Sequence, residues 1–335
     1  MSIKKIYHIL FFFIFFVTTF TGCGKSTDVD KTLNESWKPR KAVTIICGYG
    51  VGGSSDIFAR IVAKHLSEYW NIDVVVKNIQ GAAGAIAASQ CYKAKPDGYT
   101  VMISNGATVT QSAIGDVDWT YKDFTNIAKV IDEDEILCVN SSSNIGSLNE
   151  LIANCKEQQG KIRIGVAGAG GYTYLAAMKF IHDLELKVKI ITYDSGAEAV
   201  NAVMGGFVDF CMQQPAEVMP GLESGHLRAI AIMSEKRHRH EKLKVIPSSQ
   251  EQGINFISYQ WRGISAPKNL PSSIKKEWEN ALKYITTKME FQNEVDNILL
   301  AKEHILLGDE MLEFMNKEFR WIKPLMRDLE LIEHK

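Results

Sequence analysis

Short apolar runs alternate with longer stretches at helical spacing in two separate series, and that pattern dictates an α/β architecture. Val43-Thr44-Ile45-Ile46-Cys47 reads as a strand, and Ile57, Ile61, Val62, Leu66 and Tyr69 share one face of the helix after it. A strand at Val74-Val75-Val76, a small-residue helix from Ala82 to Ala88 and a strand from Thr100 to Ile103 continue the series. Such alternation predicts a mostly parallel sheet covered by helices. A second series begins near Asn140. It predicts helices from Leu148, Tyr172 and Ala197, with strands at Ile162 to Val166, Val188 to Ile191, Val208 to Met212 and Leu227 to Ile232. Helical patterns return from Ser272 to Thr286 and from Asp309 to Leu329, and the first sheet is the one they are expected to cover.

A chain of 335 residues exceeds what one core usually organises, so two domains are expected. The first domain is predicted over 41–138 and 259–335, and the second over 139–258. Two crossings, near Ile136 to Asn140 and Ile257 to Gly263, would form a hinge, with a ligand cleft between the strand ends of both halves. A net charge of -1 and no basic stripe interleaved with aromatics exclude nucleic acid as an expected partner.

The N-terminus speaks to location. Lys4 and Lys5 precede an apolar run from Ile9 to Val17, too short to cross a hydrocarbon core of about 30 Å comfortably. Residues 1–22 therefore read as a signal peptide. The Phe20-Thr21-Gly22-Cys23 junction resembles a bacterial lipobox, with Phe20 where Leu is usual, and predicts acylation of Cys23 at the outer face of the cytoplasmic membrane. An uncleaved anchor and a plain secretory cleavage are the alternatives. Polar residues over 23–40 read as a flexible tether. Cys47, Cys91, Cys138, Cys155 and Cys211 lack CxxC spacing and sit mostly among Ile, Val and Ala, so they read as small buried hydrophobes.

Two strand-glycine-helix junctions carry the chemistry. Gly48-Tyr49-Gly50-Val51-Gly52-Gly53-Ser54-Ser55-Asp56 is the first, and Gly165-Val166-Ala167-Gly168-Ala169-Gly170-Gly171-Tyr172-Thr173 the second. Glycine lets backbone approach a ligand, and a helix start presents N–H groups that favour an anion. One such loop from each half could clamp a single carboxylate-bearing molecule; the bland alternative is that these glycines only make turns. Gly48, Gly50 and Gly53 match dinucleotide-binding spacing, but the second strand ends in Lys77-Asn78 and not in a ribose-binding acid. No cofactor is expected. Lys236-Arg237-His238-Arg239-His240 reads as an exposed loop, because its cations oppose a metal, and Asp132-Glu133-Asp134-Glu135 reads as a solvated turn without calcium-loop spacing. No GxSxG elbow or HExxH helix is present, so hydrolase chemistry has no assembled machinery.

Gly52-Gly53-Ser54-Ser55-Asp56, Gly81-Ala82-Ala83-Gly84, Lys95-Pro96-Asp97-Gly98-Tyr99-Thr100, Tyr193-Asp194-Ser195-Gly196-Ala197 and Gly225-His226-Leu227-Arg228-Ala229-Ile230-Ala231 occur in that order. In these stretches the chain resembles the extracytoplasmic solute receptors of tripartite tricarboxylate transporters, the Bug receptors, from Val43 to about Lys323. The resemblance implies a two-domain, type II Venus-flytrap periplasmic-binding-protein fold that holds a carboxylate and delivers it to a large and a small membrane subunit. It also implies ligand contacts from Tyr49, Gly52, Gly53, Ser54, Asp56, Asn105, Thr108, Gly168, Gly170, Gly171, Thr173, Tyr193, Ser195 and Gly196. This chain departs from the family at Gly48 and Gly50, where Pro often flanks the aromatic, and at Tyr172 and Tyr174, where Ser and His are frequent. Arg262, at the second crossing, could clamp a second carboxylate and so favour di- or tricarboxylates, or could be a structural arginine paired with an acid. An exported α/β enzyme acting on a carboxylate and a ligand-sensing subunit of a signalling system are the competing functions.

Overall fold

A computed structural model describes residues 37–333. The predicted signal peptide, Cys23 and the tether as far as Ser36 lie outside the described residues.

Two sheets organise the chain. In the first, β1 (Val43–Cys47) lies between β2 (Val74–Asn78) and β3 (Thr100–Asn105) and runs parallel to both. Its side chains are apolar except for Thr44, as a central strand covered on both faces requires. Phe58, Ala59, Val62 and Leu66 put one face of α1 (Ser54–Trp70) into this core, and α8 (Ser272–Thr286) adds Trp278. The Trp70 and Trp278 rings meet edge to face at 4.8 Å, and each indole N–H finds an acceptor, Glu277 at 2.8 Å and the Gly98 carbonyl at 3.2 Å. The tail helices thus cover the first sheet, and α10 (Gly308–Asp328) packs Met311, Met315 and Ile322 beside Val109 and Ala113 of α3 (Gly106–Ile114).

The second sheet runs in the order β7 (Lys189–Tyr193), β6 (Arg163–Ala167), β8 (Phe210–Gln213), β5 (Ile136–Asn140) and β9 (Leu227–Ile232). One face carries α4 (Leu148–Glu157) and α5 (Tyr172–Asp183), and the other carries α6 (Gly196–Met204) and α7 (Pro215–Glu223).

Both sheets are mixed, not mostly parallel. β10 (Tyr259–Pro267) runs antiparallel to β3 and to β4 (Phe124–Asp134), β11 (Lys302–Leu307) antiparallel to β4, and β5 antiparallel to β8 and β9. The reason is topological: the chain leaves the first sheet along β4 and returns along β10, so the two segments point in opposite directions. They are hydrogen-bonded to each other from Tyr259 opposite Asp134 to Pro267 opposite Phe124. The first crossing is shorter than the sequence suggests, since only Glu135 separates β4 from β5.

The acidic run at this crossing is not a solvated turn. Asp132, Glu133 and Asp134 end β4 and Glu135 follows it, and extended backbone alternates their faces. Asp132 lies 2.7 Å from Lys129 and 2.6 Å from His304, and Asp134 lies 2.9 Å from Lys302, whereas Glu133 and Glu135 point inward and are wholly buried. The basic loop also divides: Arg237 and Arg239 are exposed, but His238 is buried with its ring 3.0 Å from the Leu300 carbonyl. Cys47, Cys91, Cys138, Cys155 and Cys211 are free and buried, and among the described residues no group of three metal-ligating side chains converges.

Gly263 lets β10 lie against β4. The pairing of β10 with β4 shifts register between Arg262 and Gly263, and a Cβ on Gly263 would collide with the Ala128 carbonyl oxygen and come within 2.9 Å of Lys129 Cα. Backbone there cannot move aside as a flexible side chain could. Gly263→Ala is therefore expected to destabilise the fold by about 1–3 kcal/mol, the usual range for overpacking. Urea unfolding of the two proteins measures it, and coincident midpoints would show that the strands separate without cost.

Candidate functional site

The first glycine junction links β1 to α1. Gly53 is the N-cap of α1 and supplies no side-chain acceptor, so the helix begins with backbone N–H groups open to a ligand or another side chain. Asp56 ties the loop down from behind, accepting from Gly52 N–H at 3.0 Å, Arg60 at 2.9 Å and Asn78 at 2.9 Å. Burial opposes its charge, but Arg60, Gly52 and Asn78 outweigh burial and hold the carboxyl below its ordinary value. Tyr49 donates its hydroxyl to the Ala83 carbonyl at 3.1 Å. Asn105 caps α3 by accepting from Ala107 N–H at 3.0 Å, and Thr108 completes the capping box.

The second junction links β6 to α5, whose N-cap, Gly171, again offers no side-chain acceptor. Gly168 N–H is held by the Tyr193 carbonyl at 2.8 Å. Gly170 presents its carbonyl to Thr110 Oγ1 at 3.0 Å and Gln111 Nε2 at 3.3 Å, both from α3 on the first sheet. Ser195 caps α6 through Glu198 N–H at 3.2 Å.

The two junctions meet across a narrow cleft. Its cavity measures about 20 Å³, with Tyr49, Ser55, Asn105, Gln260 and Arg262 on the first-sheet side and Ala167, Tyr172, Thr173, Gly196, Gln214 and Glu217 on the other. That volume admits about one water molecule. Of the residues assigned from sequence, Tyr49, Asn105, Thr173, Gly196 and Arg262 line the cavity. Gly53 and Ser54 stand just behind it, beside Glu217 and Ser195. Gly52 is exposed, Asp56 and Thr108 brace their loops, and Gly168, Gly170 and Gly171 lie against Ala83, Ile114 and Gln111. Tyr193 contributes its carbonyl to the second loop rather than a wall to the cavity.

Sequence reasoning missed Glu217. Its Oε1 accepts from Ser54 N–H at 2.9 Å, which makes a side chain of the second lobe the cap of a helix in the first. Glu217 is 7% exposed, and its carboxyl also takes a hydrogen bond from the backbone N–H of Gln214, the N-cap of its own helix. It passes so close to Gly196 that a Cβ there would collide with Oε2. Glycine at that position is a requirement of approach. The only advance signal was an acid in the first turn after Pro215, which ordinarily just complements a helix dipole.

Arg262 sits 3% exposed at the base of the cleft. Its Nε lies 2.6 Å from Glu133 Oε2 and donates to Ser54 Oγ at 3.3 Å, while Nη1 donates to Ser55 Oγ at 2.8 Å. Ser54 Oγ in turn donates to Glu133 Oε1. The acid that pairs with Arg262 is therefore a member of the run first read as solvated. Burial drives all three nearby carboxyls upward: Glu133 above its ordinary value despite Arg262, Glu135 to about 8 and Glu217 to about 7. A larger groove of about 640 Å³, between Arg239 and Glu303, contains no residue of either glycine junction and is open and charged.

Comparison with known proteins agrees with this geometry. Residues 58–326 match the model of the tripartite tricarboxylate transporter family receptor. Protein BugT of Bordetella pertussis is 29% identical over 241 residues, covering 70% of this chain and 73% of BugT. The solved periplasmic binding protein BugD superposes with a TM-score of 0.78 at 24% identity, over 87% of this chain and 98% of that one. Rpa4515 of R. palustris, solved with adipate, superposes with a TM-score of 0.82 at 22% identity, over 87% and 98%. With the family match covering most of its length and both sheets shared with periplasmic binding proteins, the chain belongs to the tripartite tricarboxylate transporter receptors, and it is a solute receptor rather than an enzyme.

Proposed function

We propose that this receptor captures a small carboxylate in the cleft between its two sheets and delivers it to the large and small membrane subunits of a tripartite tricarboxylate-type transporter. One observation carries the reading: α1 and α5 both start at glycine N-caps without side-chain acceptors, and both starts face the same cleft. A carboxylate is already the group that Ser54 N–H selects there, in the form of Glu217. The α5 start, with Thr173 on the cavity wall, offers the equivalent place for the ligand's carboxylate. Tyr49 and Asn105 close the first-lobe side, and Gly168, Gly170 and Gly171 shape the backbone that holds it. The adipate carried by a structural relative supports the ligand class.

Arg262 acts in this scheme through Ser54 and Ser55, whose hydroxyls it orients, because Glu133 already balances its charge. It is the one cation among the described residues lining the cavity. The preference for di- or tricarboxylates drawn from a free Arg262 therefore loses its support.

A cavity of about 20 Å³ is too small for any carboxylate, so binding requires the lobes to part and then close on the ligand. A thermal-shift screen across small carboxylates is expected to find one that raises Tm, by an amount near 2.7 kcal/mol of added stability at about 100 times Kd. Small-angle scattering of the free protein should give a radius of gyration above the value calculated for the closed form, and that ligand should bring it down to that value. Failure of every carboxylate to shift Tm would remove the ligand class, and a free protein that already has the closed-form value and keeps it at saturation would remove the opening motion.

Among the described residues no helix is long and apolar enough to cross a membrane. Attachment at the outer face of the cytoplasmic membrane is assigned to a diacylglycerol on Cys23, since two acyl chains suffice for stable anchoring. Cys23→Ser is expected to release the protein into the soluble fraction or to block its processing. Correctly processed Cys23→Ser protein that still pellets with membranes would exclude the lipid.

A further inference from the structure

We propose that a second cavity, separate from the cleft, binds a small monovalent organic cation of the alkylammonium class. It measures about 180 Å³, close to the roughly 150 Å³ of a cavity that takes one benzene ring. Tyr172 and Leu175 of α5 bound it from the second-sheet half, and Tyr259 of β10 with Glu318 and Trp321 of α10 bound it from the first. Of these residues only Tyr172 also lines the cleft. Ile257 and Trp321 are exposed, so the cavity has a way in from solvent.

Three aromatic rings make the lining selective. Those of Tyr172 and Trp321 stand edge to face, with centroids 6.2 Å apart and planes at 86°, so they form two adjoining walls of a corner. Tyr172 is fixed there: it is buried, and a Cβ on Gly106 would collide with its ring. Tyr259 adds a third ring from the hinge strand. A ring face is electron-rich, and rings gathered around one small space attract a cation while giving a neutral molecule only apolar contact.

Glu318 supplies the negative charge. It is 6% exposed, its Oε1 takes the Trp321 indole N–H at 3.1 Å, and the carboxyl also takes the Tyr172 hydroxyl. Those two bonds orient the carboxylate without neutralising it, since neither donor is a cation. The cation that acts on it is Lys129, which is wholly buried, lies 2.7 Å from Asp132 and rests 5.1 Å from the centre of the Phe314 ring. Asp132 thus claims the lysine and itself disfavours charge on Glu318. Burial raises the Glu318 carboxyl above its ordinary value against the pull of Trp321 and Tyr172. An ammonium in the cavity favours the ionised form and gives that carboxylate the partner the chain does not.

Calorimetry on the full chain tests the site, with choline as the cation and neohexyl alcohol, which has carbon in place of the charged nitrogen, as its neutral counterpart. Ionic strength is held constant with sodium chloride. Choline is expected to bind at least tenfold tighter than the alcohol, and a smaller preference would make this an ordinary apolar cavity and overturn the cation site. Glu318→Gln keeps an acceptor for the Trp321 indole and should bring the preference below about threefold. Trp321→Ala, a change at the exposed mouth, should weaken choline about fivefold or more, and it keeps the test decisive if the Glu318 variant does not fold. A preference that survives in both variants would place the bound cation elsewhere and overturn the site, as would absence of choline binding at millimolar concentrations.

Discussion

The buried contact between Arg262 and Glu133 is the constraint on which the rest of this structure turns. Both residues lie on the paired strands that join the lobes, Arg262 on β10 and Glu133 on β4, and neither is appreciably exposed. Removing two charges from water is expensive, and attraction between them compensates only when the remaining donors and acceptors are matched. Here Ser54 and Ser55 provide the matching groups, and they are the first residues of α1. One ionic contact therefore fixes the register of the hinge strands and the seat of the helix whose N-terminus forms half of the binding cleft. Removal of either charge would strand the other, which typically costs about 3–5 kcal/mol. A loss of ligand affinity in such a variant would thus report on the fold as much as on the site.

Several contacts join the two halves beside the paired β4 and β10. Ser54 N–H to Glu217 and the Gly170 carbonyl to Thr110 and Gln111 are hydrogen bonds across the cleft, each the kind of contact worth about 0.5–3 kcal/mol net. Away from it, His238 meets the Leu300 carbonyl, Arg239 pairs with Asp296, and Tyr172 and Leu175 of α5 share an apolar cluster with Met311 and Met315 of α10. Glu217 gives the closed form a particular character. It places a carboxylate of the second lobe on the helix start of the first, so part of the closing interaction exists without any ligand.

Much of this architecture was legible in the sequence, and the places where it was not share a physical cause. The strand at Val43 to Cys47, the helix from Ser272 to Thr286 and the two glycine junctions announce themselves through local periodicity and backbone freedom. Tyr49, Asn105, Thr173, Gly196 and Arg262, assigned from sequence, do line one cavity. The mixed sheets were not legible, because strand direction depends on where the chain crosses between lobes and not on its composition. Nor were Glu133 and Glu135: four consecutive acids resemble a solvated turn until strand alternation turns alternate members inward. Glu217 was hidden for a related reason. An acid in the first turn of a helix is ordinary, and only the fold shows that Ser54, 163 residues earlier in the chain, stands opposite it.

Reading Arg262 and Glu217 together changes what the cleft selects. A free arginine at the hinge would mark the site for a second carboxylate, and that inference is sound as chemistry. Burial reverses it. Arg262 is already matched by Glu133 and by the hydroxyls of Ser54 and Ser55, so it seats the start of α1 rather than standing free in the cleft. Glu217 then occupies the Ser54 N–H at that same start. The start of α5, by contrast, has no side-chain cap, and Thr173 beside it lines the cavity. Two helix starts that look alike in sequence are therefore unequal: one is closed by an acid of the facing half, and the other keeps its backbone N–H groups for an anion.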